Sequence, residues 1–401
     1  MTYRIKLLFV ALVIFLVTTL SFAASSTTRS RSRKDGKVSE NARAQKRITR
    51  LRHKHPVARR TAKARHRRYV ERFYTNSYAS DVGEGDLTAG EDPTVRQAAL
   101  DALGNMNGTI VALDPTSGRV LAMVNQKLAL SEGAQPCSTI KLSVALAALS
   151  EGVISRETPV QLGRSSSMTL TQALAHSNNA YFEAVGRQLG FSKVSYYAHQ
   201  FGLGELAGYH IQGEHLGVYP ARELDAKLGG VGKMCSFGES ISMTPLQLGA
   251  MVAAIANGGT LYYLQHPTSP EEVVDFQPRV KRQLEIKDIL PEVEDGMMGA
   301  VQYGTARSVR LNFSEEQILG KTGTCSKSGT RFGWFASYAN TEVGRIVTVV
   351  FLRGGRPVYG PKAAEISGRF YRALYDHNFF RQPPASAQTS GEKATEVGIR
   401  Q

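Results

Sequence analysis

The order of patterns along the chain predicts an α+β fold: an antiparallel sheet flanked by helices, with a helical subdomain adjoining it. Two strand patterns joined by a tight turn come early, at 108–124, and helical patterns fill the middle of the chain. Three strand patterns follow one another closely after residue 316. A sheet built from the first and last strands leaves the intervening helices to cover it.

The elements follow in order. Arg4 and Lys6 precede an apolar run, Leu7 to Phe22, that ends in Ser21-Phe22-Ala23-Ala24-Ser25. Residues 1–24 therefore read as a membrane anchor at the short limit for spanning, or as a signal segment cleaved after Ala23. The formal net charge of +15 is confined to one stretch, because Arg29 to Arg68 carries 17 Lys+Arg against Asp35 and Glu40. That stretch has few apolar residues and strong self-repulsion, so 25–84 is expected to be a basic, disordered linker. It is either a solvated spacer or an electrostatic attachment to an anionic wall polymer or lipid headgroups. A nucleic-acid partner is not expected if the segment is exported, although the positive-inside rule by itself would hold Arg29 to Lys34 in the cytoplasm.

The folded domain is assigned to 85–382, with a disordered tail over 383–401. Asp92-Pro93 through Gly104 has a capping Asp, a first-turn Pro and a terminal Gly, which marks a short helix. Gly108 to Leu113 and Arg119 to Val124 flank the breaker-rich turn Asp114-Pro115-Thr116-Ser117-Gly118, a β-hairpin. Pro136 opens the next helix, whose Leu142, Ala145, Leu146 and Leu149 recur on one face. Ser138 then lies at the positive end of that helix, and Lys141 follows one turn along on the same face. A serine hydroxyl needs a neighbouring base to become a nucleophile, and a lysine desolvated by an apolar helix can be that base. Equally, a lone Ser-x-x-Lys can be a helix start with a snorkelling lysine.

A helical block runs from Leu170 to about Phe201 and contains Ser177-Asn178-Asn179, where Ser177 and Asn179 could simply cap a helix. Thr244-Pro245-Leu246-Gln247 leads into an apolar helix to Ala256. Gln317 to Cys325, Arg331 to Tyr338 and Arg345 to Leu352 are the late strands, the first bearing Lys321-Thr322-Gly323-Thr324. An amphipathic helix from about Pro361 to Tyr375 closes the domain. The nine His and three Cys show no metal-ligand spacing, and no cofactor is expected.

Three short motifs in the order Ser-x-x-Lys, Ser-x-Asn and Lys-Thr-Gly, each on its expected element, resemble the penicillin-binding proteins and serine β-lactamases. Gly238-Glu239-Ser240 with the Thr244-Pro245 stretch, and Gly304-Thr305-Ala306, are also family-like, although Glu239 and Ser240 depart from the usual pattern. The resemblance implies the penicillin-binding transpeptidase fold over roughly Asp92 to Asp376, and an acyl-enzyme on Ser138 that cross-links peptidoglycan stem peptides. In that scheme Lys141 takes the proton of Ser138 and Ser177 relays one to the leaving amine. Asn179 holds the substrate backbone. Lys321 stays charged and attracts the substrate carboxylate, aided by the hydroxyls of Thr322 and Thr324. Gly323 lets the strand approach the ligand, and the backbone N–H groups of Ser138 and Thr324 form the oxyanion hole.

By the same resemblance, Cys137 and Cys325 correspond to cysteines that some carbapenem-hydrolysing β-lactamases join in a disulfide. Stem peptides and β-lactam antibiotics are the implied partners. The implied location is the bacterial cytoplasmic membrane, single-pass, with the catalytic domain periplasmic. D,D-carboxypeptidase, serine β-lactamase and non-catalytic β-lactam sensor remain as alternatives. Against a lactamase, Arg222-Glu223-Leu224-Asp225 does not supply the Glu-x-x-Leu-Asn base of the common class.

Overall fold

The computed structural model describes residues 72–341 and 344–381. The segment assigned as anchor or signal, most of the basic linker and the tail lie outside the described residues. Among those described, no helix is long and apolar enough to cross a membrane.

Local chemistry starts and stops the first elements. Asp92 accepts the Val95 N–H at 2.9 Å and Pro93 occupies the first turn of α1 (Pro93–Leu103), which Gly104 ends at φ 56°. Strands β1 (Gly108–Leu113) and β2 (Val120–Val124) pair antiparallel across a turn in which Asp114 accepts from Thr116 and Ser117. After the central helices come β3 (Gln317–Lys327), β4 (Thr330–Thr341) and β5 (Gly344–Gly354). All pair antiparallel, in the order β2-β1-β5-β4-β3. The Lys-Thr-Gly strand β3 is thus an edge, with one row of backbone groups left for something else.

The two faces of the sheet carry two cores. On β4, Trp334, Ala336 and Tyr338 alternate toward one cluster and Phe335 and Ala339 toward the other. The first cluster takes in α2 (Lys141–Ser150), whose residues Lys141 to Leu149 are all buried, and the long α4 (Asn179–Gln200). It also takes in α6 (Pro245–Ala256), which is buried along its whole length and starts with a Thr244/Gln247 capping box. Between α4 and α6 lies the shorter α5 (Gly230–Phe237). The second cluster is closed by α1 and the last helix, α7 (Gly360–Asp376).

One expectation changes. Residues 72–84, assigned to the linker, pack on the domain: Tyr74 N–H donates to Gly329 O at 2.9 Å, and Asn107 N–H to Ser77 O at 2.9 Å. The Ser77 hydroxyl accepts the Gly355 N–H at 2.8 Å. Strand ends with spare backbone groups recruit this segment. The block from Leu170 to Phe201 breaks at Ser177-Asn178-Asn179, between the two helical patterns on either side. It divides into α3 (Leu170–Ala175) and α4 around Ser177, which has φ 55°, and α4 itself kinks at Gly190.

Candidate active site

Pro136 leads into a single 3-10 turn, Cys137–Ile140, from which α2 continues at Lys141. Cys137 takes φ 52° and is fully buried, joined in a disulfide to Cys325 on β3 with the Cα atoms 5.5 Å apart. The buried Trp334 indole N–H donates to the Gln135 carbonyl at 3.0 Å, a second tie between this turn and the sheet. Gly323 permits the contact: a Cβ there would lie 2.9 Å from Pro136 O and 3.2 Å from Thr139 Cγ2. Sequence reasoning assigned the close approach at Gly323 to a ligand; the neighbour that demands it is the Ser138 turn itself. The Ser138 hydroxyl is left half-buried, directly beside the edge strand.

Lys141 reaches four oxygens. Its Nζ lies 2.7 Å from the Ser177 carbonyl, 2.7 Å from Asn179 Oδ1, 3.1 Å from Ser138 Oγ and 3.2 Å from Ser177 Oγ. Burial, reinforced by the nearby Lys321 ammonium, lowers its pKa to about 6. Burial also lowers Lys321, to about 7. Lys321 Nζ donates to Ser177 Oγ at 2.8 Å and to the Thr322 carbonyl at 2.9 Å. The charge expected on Lys321 is therefore opposed by the full burial of its site.

A neutral amine has two hydrogens and one lone pair. At Lys141 the two shortest contacts are to pure acceptors, which take both hydrogens, so the lone pair is left for the hydroxyls of Ser138 and Ser177. Ser177 Oγ accepts from Lys321, which frees its own hydrogen to move toward Lys141 or a ligand. The helix-cap reading of this loop falls to a different residue: Asn178 Oδ1 accepts the Tyr181 N–H at 2.9 Å. That leaves Ser177 and Asn179 facing the lysines.

Thr322 and Thr324 occupy β3 beside this cluster. Thr322 Oγ1 lies 2.6 Å from the hydroxyl of Thr305, whose N–H is held by Ala175 O at 3.1 Å. Thr324 Oγ1 accepts the Gly360 N–H at 2.7 Å and keeps its hydrogen to donate. Thr305 and Trp334 are the residues whose part sequence reasoning missed. For Thr305 the signal was present in Gly304-Thr305-Ala306, whereas no local pattern marks Trp334. Glu239, a departure from the family pattern, pairs with the Gln135 amide at 3.2 Å. Cys235 is a free thiol, buried against Gly186, where desolvation lifts its pKa to about 12.

The described domain is similar to known proteins over most of its length. The family model for the penicillin binding protein transpeptidase domain matches residues 108–376. Stage V sporulation protein D of Bacillus subtilis is 27% identical over 259 residues, covering 54% of this chain and 39% of that protein. Peptidoglycan D,D-transpeptidase FtsI of Escherichia coli is 26% identical over 254 residues, covering 56% and 42%. The chain spans about two fifths of the length of these two relatives. The crystal structure of Pseudomonas aeruginosa PBP2 in complex with WCK 5153 superposes with a TM-score of 0.59 at 25% identity, covering 72% of this chain and 74% of that one. With the family model spanning the sheet, all three motifs and the closing helix, this chain belongs to the penicillin-binding protein transpeptidase family.

Proposed function

We propose that the protein is a serine D,D-transpeptidase that cross-links peptidoglycan stem peptides and is acylated by β-lactams. The observation that carries this reading is the Lys141 amine, held by two acceptors at 2.7 Å with Ser138 Oγ at 3.1 Å. The names of the relatives support the same activity.

Ser138 Oγ attacks the carbonyl of the penultimate D-alanine and gives its proton to Lys141. The two backbone N–H groups, of Ser138 and Thr324, stabilise the tetrahedral oxyanion, an effect worth about 3–4 kcal/mol for one donor. The bond to the terminal D-alanine then breaks, and the proton passes from Lys141 through Ser177 to the departing amine. The resulting ester is opened by the amine of a second stem peptide, which forms the cross-link, or by water, which leaves a shortened peptide. Proton flow reverses along the same groups, so Ser138 ends with its hydrogen restored. Lys321, Thr322 and Thr324 receive the terminal carboxylate, and Asn179 aligns the donor backbone. A carboxylate raises the pKa of the lysine it meets, so donor binding itself charges Lys321.

We further propose an extracytoplasmic catalytic domain on a membrane anchor, with the basic segment 29–68 attaching to anionic wall polymer or lipid. Fluorescent penicillin applied to intact cells tests topology and nucleophile together. Label is expected on the wild-type protein and absent from Ser138→Ala. D-alanine release from a pentapeptide separates an enzyme from a sensor, and nitrocefin turnover would identify a lactamase.

A further inference from the structure

We infer that His176 and Tyr303 form a subsite for the acceptor stem peptide, the chain whose amine opens the acyl-enzyme. This rests on the acyl-transfer reading above, which fixes where that amine must enter. The terminal D-alanine has its carboxylate at Lys321 and Thr322, so it occupies that end of the site, while the rest of the donor extends along β3 toward Ser326. Aminolysis of the ester is the reverse of its formation. The incoming neutral nitrogen therefore takes the place of the departed one and bonds to the ester carbon. Its proton passes through Ser177 and Lys141 to Ser138 Oγ as the Oγ–carbon bond breaks. Beyond that nitrogen, the acceptor chain has to leave the site past Ser177 and Thr305.

Two loops meet there. Ala175 O accepts the Thr305 N–H at 3.1 Å, and Gly304 lies so close to the same carbonyl that no side chain would fit. Each loop turns a hydroxyl inward: Ser177 Oγ lies 2.8 Å from Lys321 Nζ, and Thr305 Oγ1 lies 2.6 Å from Thr322 Oγ1. The residue before Ser177 and the one two places before Thr305 make up the ring pair. Their ring centroids are 5.7 Å apart, with the planes at 51°. His176 is exposed and Tyr303 is 46% exposed, so the pair stands at the rim of the site and not in the core.

Both rings stand on helix ends. Tyr303 ends the helix Leu290–Gln302, and its hydroxyl lies over Gly299, where a Cβ would come within 2.6 Å of it. His176 ends α3, with its N–H donated to Gln172 O at 3.0 Å. An exposed pair adds little to a core that it barely enters, whereas it suits a peptide crossing the rim. Methylenes and peptide planes pack on aromatic faces, and an ammonium is drawn to the phenol ring before it loses its proton. Neither residue belongs to the three motifs, so the pair bears on which acceptor is used.

The test follows the two fates of one acyl-enzyme on the full chain. The donor is diacetyl-L-Lys-D-Ala-D-Ala. The acceptor is a stem tetrapeptide, which ends in a single D-alanine and accepts without donating, with lysine at its third position in one arm and diaminopimelate in the other. Hydroxylamine, too small to reach the rings from the ester, is the reference acceptor. Chromatography gives the ratio of aminolysed to hydrolysed donor, and both products issue from the same ester, so the ratio is independent of how much protein is folded. With the tetrapeptide that wild type uses, the ratio should fall about fivefold or more in a His176→Ser, Tyr303→Ser double variant, the scale of one aromatic contact. It should be largely kept in His176→Phe, Tyr303→Phe, and the ratio with hydroxylamine should hold in both. An unchanged tetrapeptide ratio in the serine variant, an equal fall with hydroxylamine, or no cross-link to either tetrapeptide in wild type overturns the subsite alone. Failure of fluorescent penicillin to label Ser138 overturns the acyl-transfer reading and the subsite with it.

Discussion

Lys141 Nζ lies 2.7 Å from the backbone carbonyl of Ser177, in a loop that leaves the helical conformation at Ser177 with φ 55°. The break between α3 and α4 thus fills a valence of the lysine as well as turning the chain. Because this carbonyl and Asn179 Oδ1 take both hydrogens of the neutral amine, its basic lone pair is aimed, not merely present. Lys141→Ala should slow penicillin acylation of Ser138 by about 10²–10⁴-fold, the range for a general base. Stopped-flow acylation, with circular dichroism to check the fold, measures this, and an unchanged rate would remove Lys141 from that role.

The two lysines predict how acylation depends on pH. In the proposed mechanism Lys141 acts as the free base, so the rate should rise through about pH 6 and then level off. Lys321 attracts a carboxylate only when protonated, so donors bearing that group should lose affinity at some point above pH 7, later than the free site's value because the bound anion raises it. A ligand whose carboxylate is converted to an amide should keep the acid limb and lose the alkaline one. Profiles of kcat/KM for the matched pair decide it, and identical alkaline limbs would contradict the assignment of Lys321.

Stability carries the same signature. In the unfolded chain both lysines hold their protons up to the ordinary value of 10.5, whereas in the folded chain they begin to release them near 6 and 7. Between those limits the unfolded state binds more protons. The burial penalty is therefore complete below about pH 6 and is relieved as the pH rises toward 10.5. Urea midpoints measured across that window should climb more steeply for wild type than for a Lys141→Met, Lys321→Met double variant. Equal slopes would show that these groups are not held in their low-pKa form.

Thr305 supports Thr322 through a 2.6 Å hydroxyl contact. In Thr305→Val the Thr322 hydroxyl loses its partner and its rotamer preference, at a cost of about 1 kcal/mol for a neutral hydrogen bond. The expected result is a several-fold rise in KM for a carboxylate-bearing donor with kcat little altered. Steady-state D-alanine release reports both constants, and a fall in kcat alone would argue for a different role.

The Cys137–Cys325 disulfide closes a loop of sequence separation 188 and links the Ser138 turn to β3. Denatured, unreduced protein should show one free thiol, that of Cys235; three would exclude the bridge. Replacing both cysteines by serine should cost about 2–4 kcal/mol, seen as a lower melting temperature. Acylation should slow as well, because the turn would then be tied to the sheet mainly through Trp334 and the contact at Gly323.

Much of this was open to reading along the chain. The apolar spacing of α2, the breaker-rich turn at Asp114–Gly118 and the closely spaced strands after residue 316 are local patterns, and local hydrogen bonding realises them. Ser177 and Asn179 were ambiguous because a hydroxyl and an amide cap helices as readily as they bind lysines; the capping role went to Asn178, a choice that depends on where α2 lies. Trp334 is core, yet its single N–H has a long-range partner, the Gln135 carbonyl, that no local pattern announces. The end of the linker was misplaced because residues 72–84 are held by backbone groups at strand ends, which sequence composition does not register.

By itself, the amino-acid order determined which residue types stand at which helix starts and strand positions, since caps, turns and periodicity act over a few neighbours. Only the tertiary structure decided that β3 is an edge strand, that its Gly323 meets the Ser138 turn, and that two lysines 180 residues apart share one hydroxyl. Those outcomes depend on strand order and on burial, and burial lowers both ammonium pKa values. Desolvation is a property of the assembled interior, and a linear sequence does not contain it.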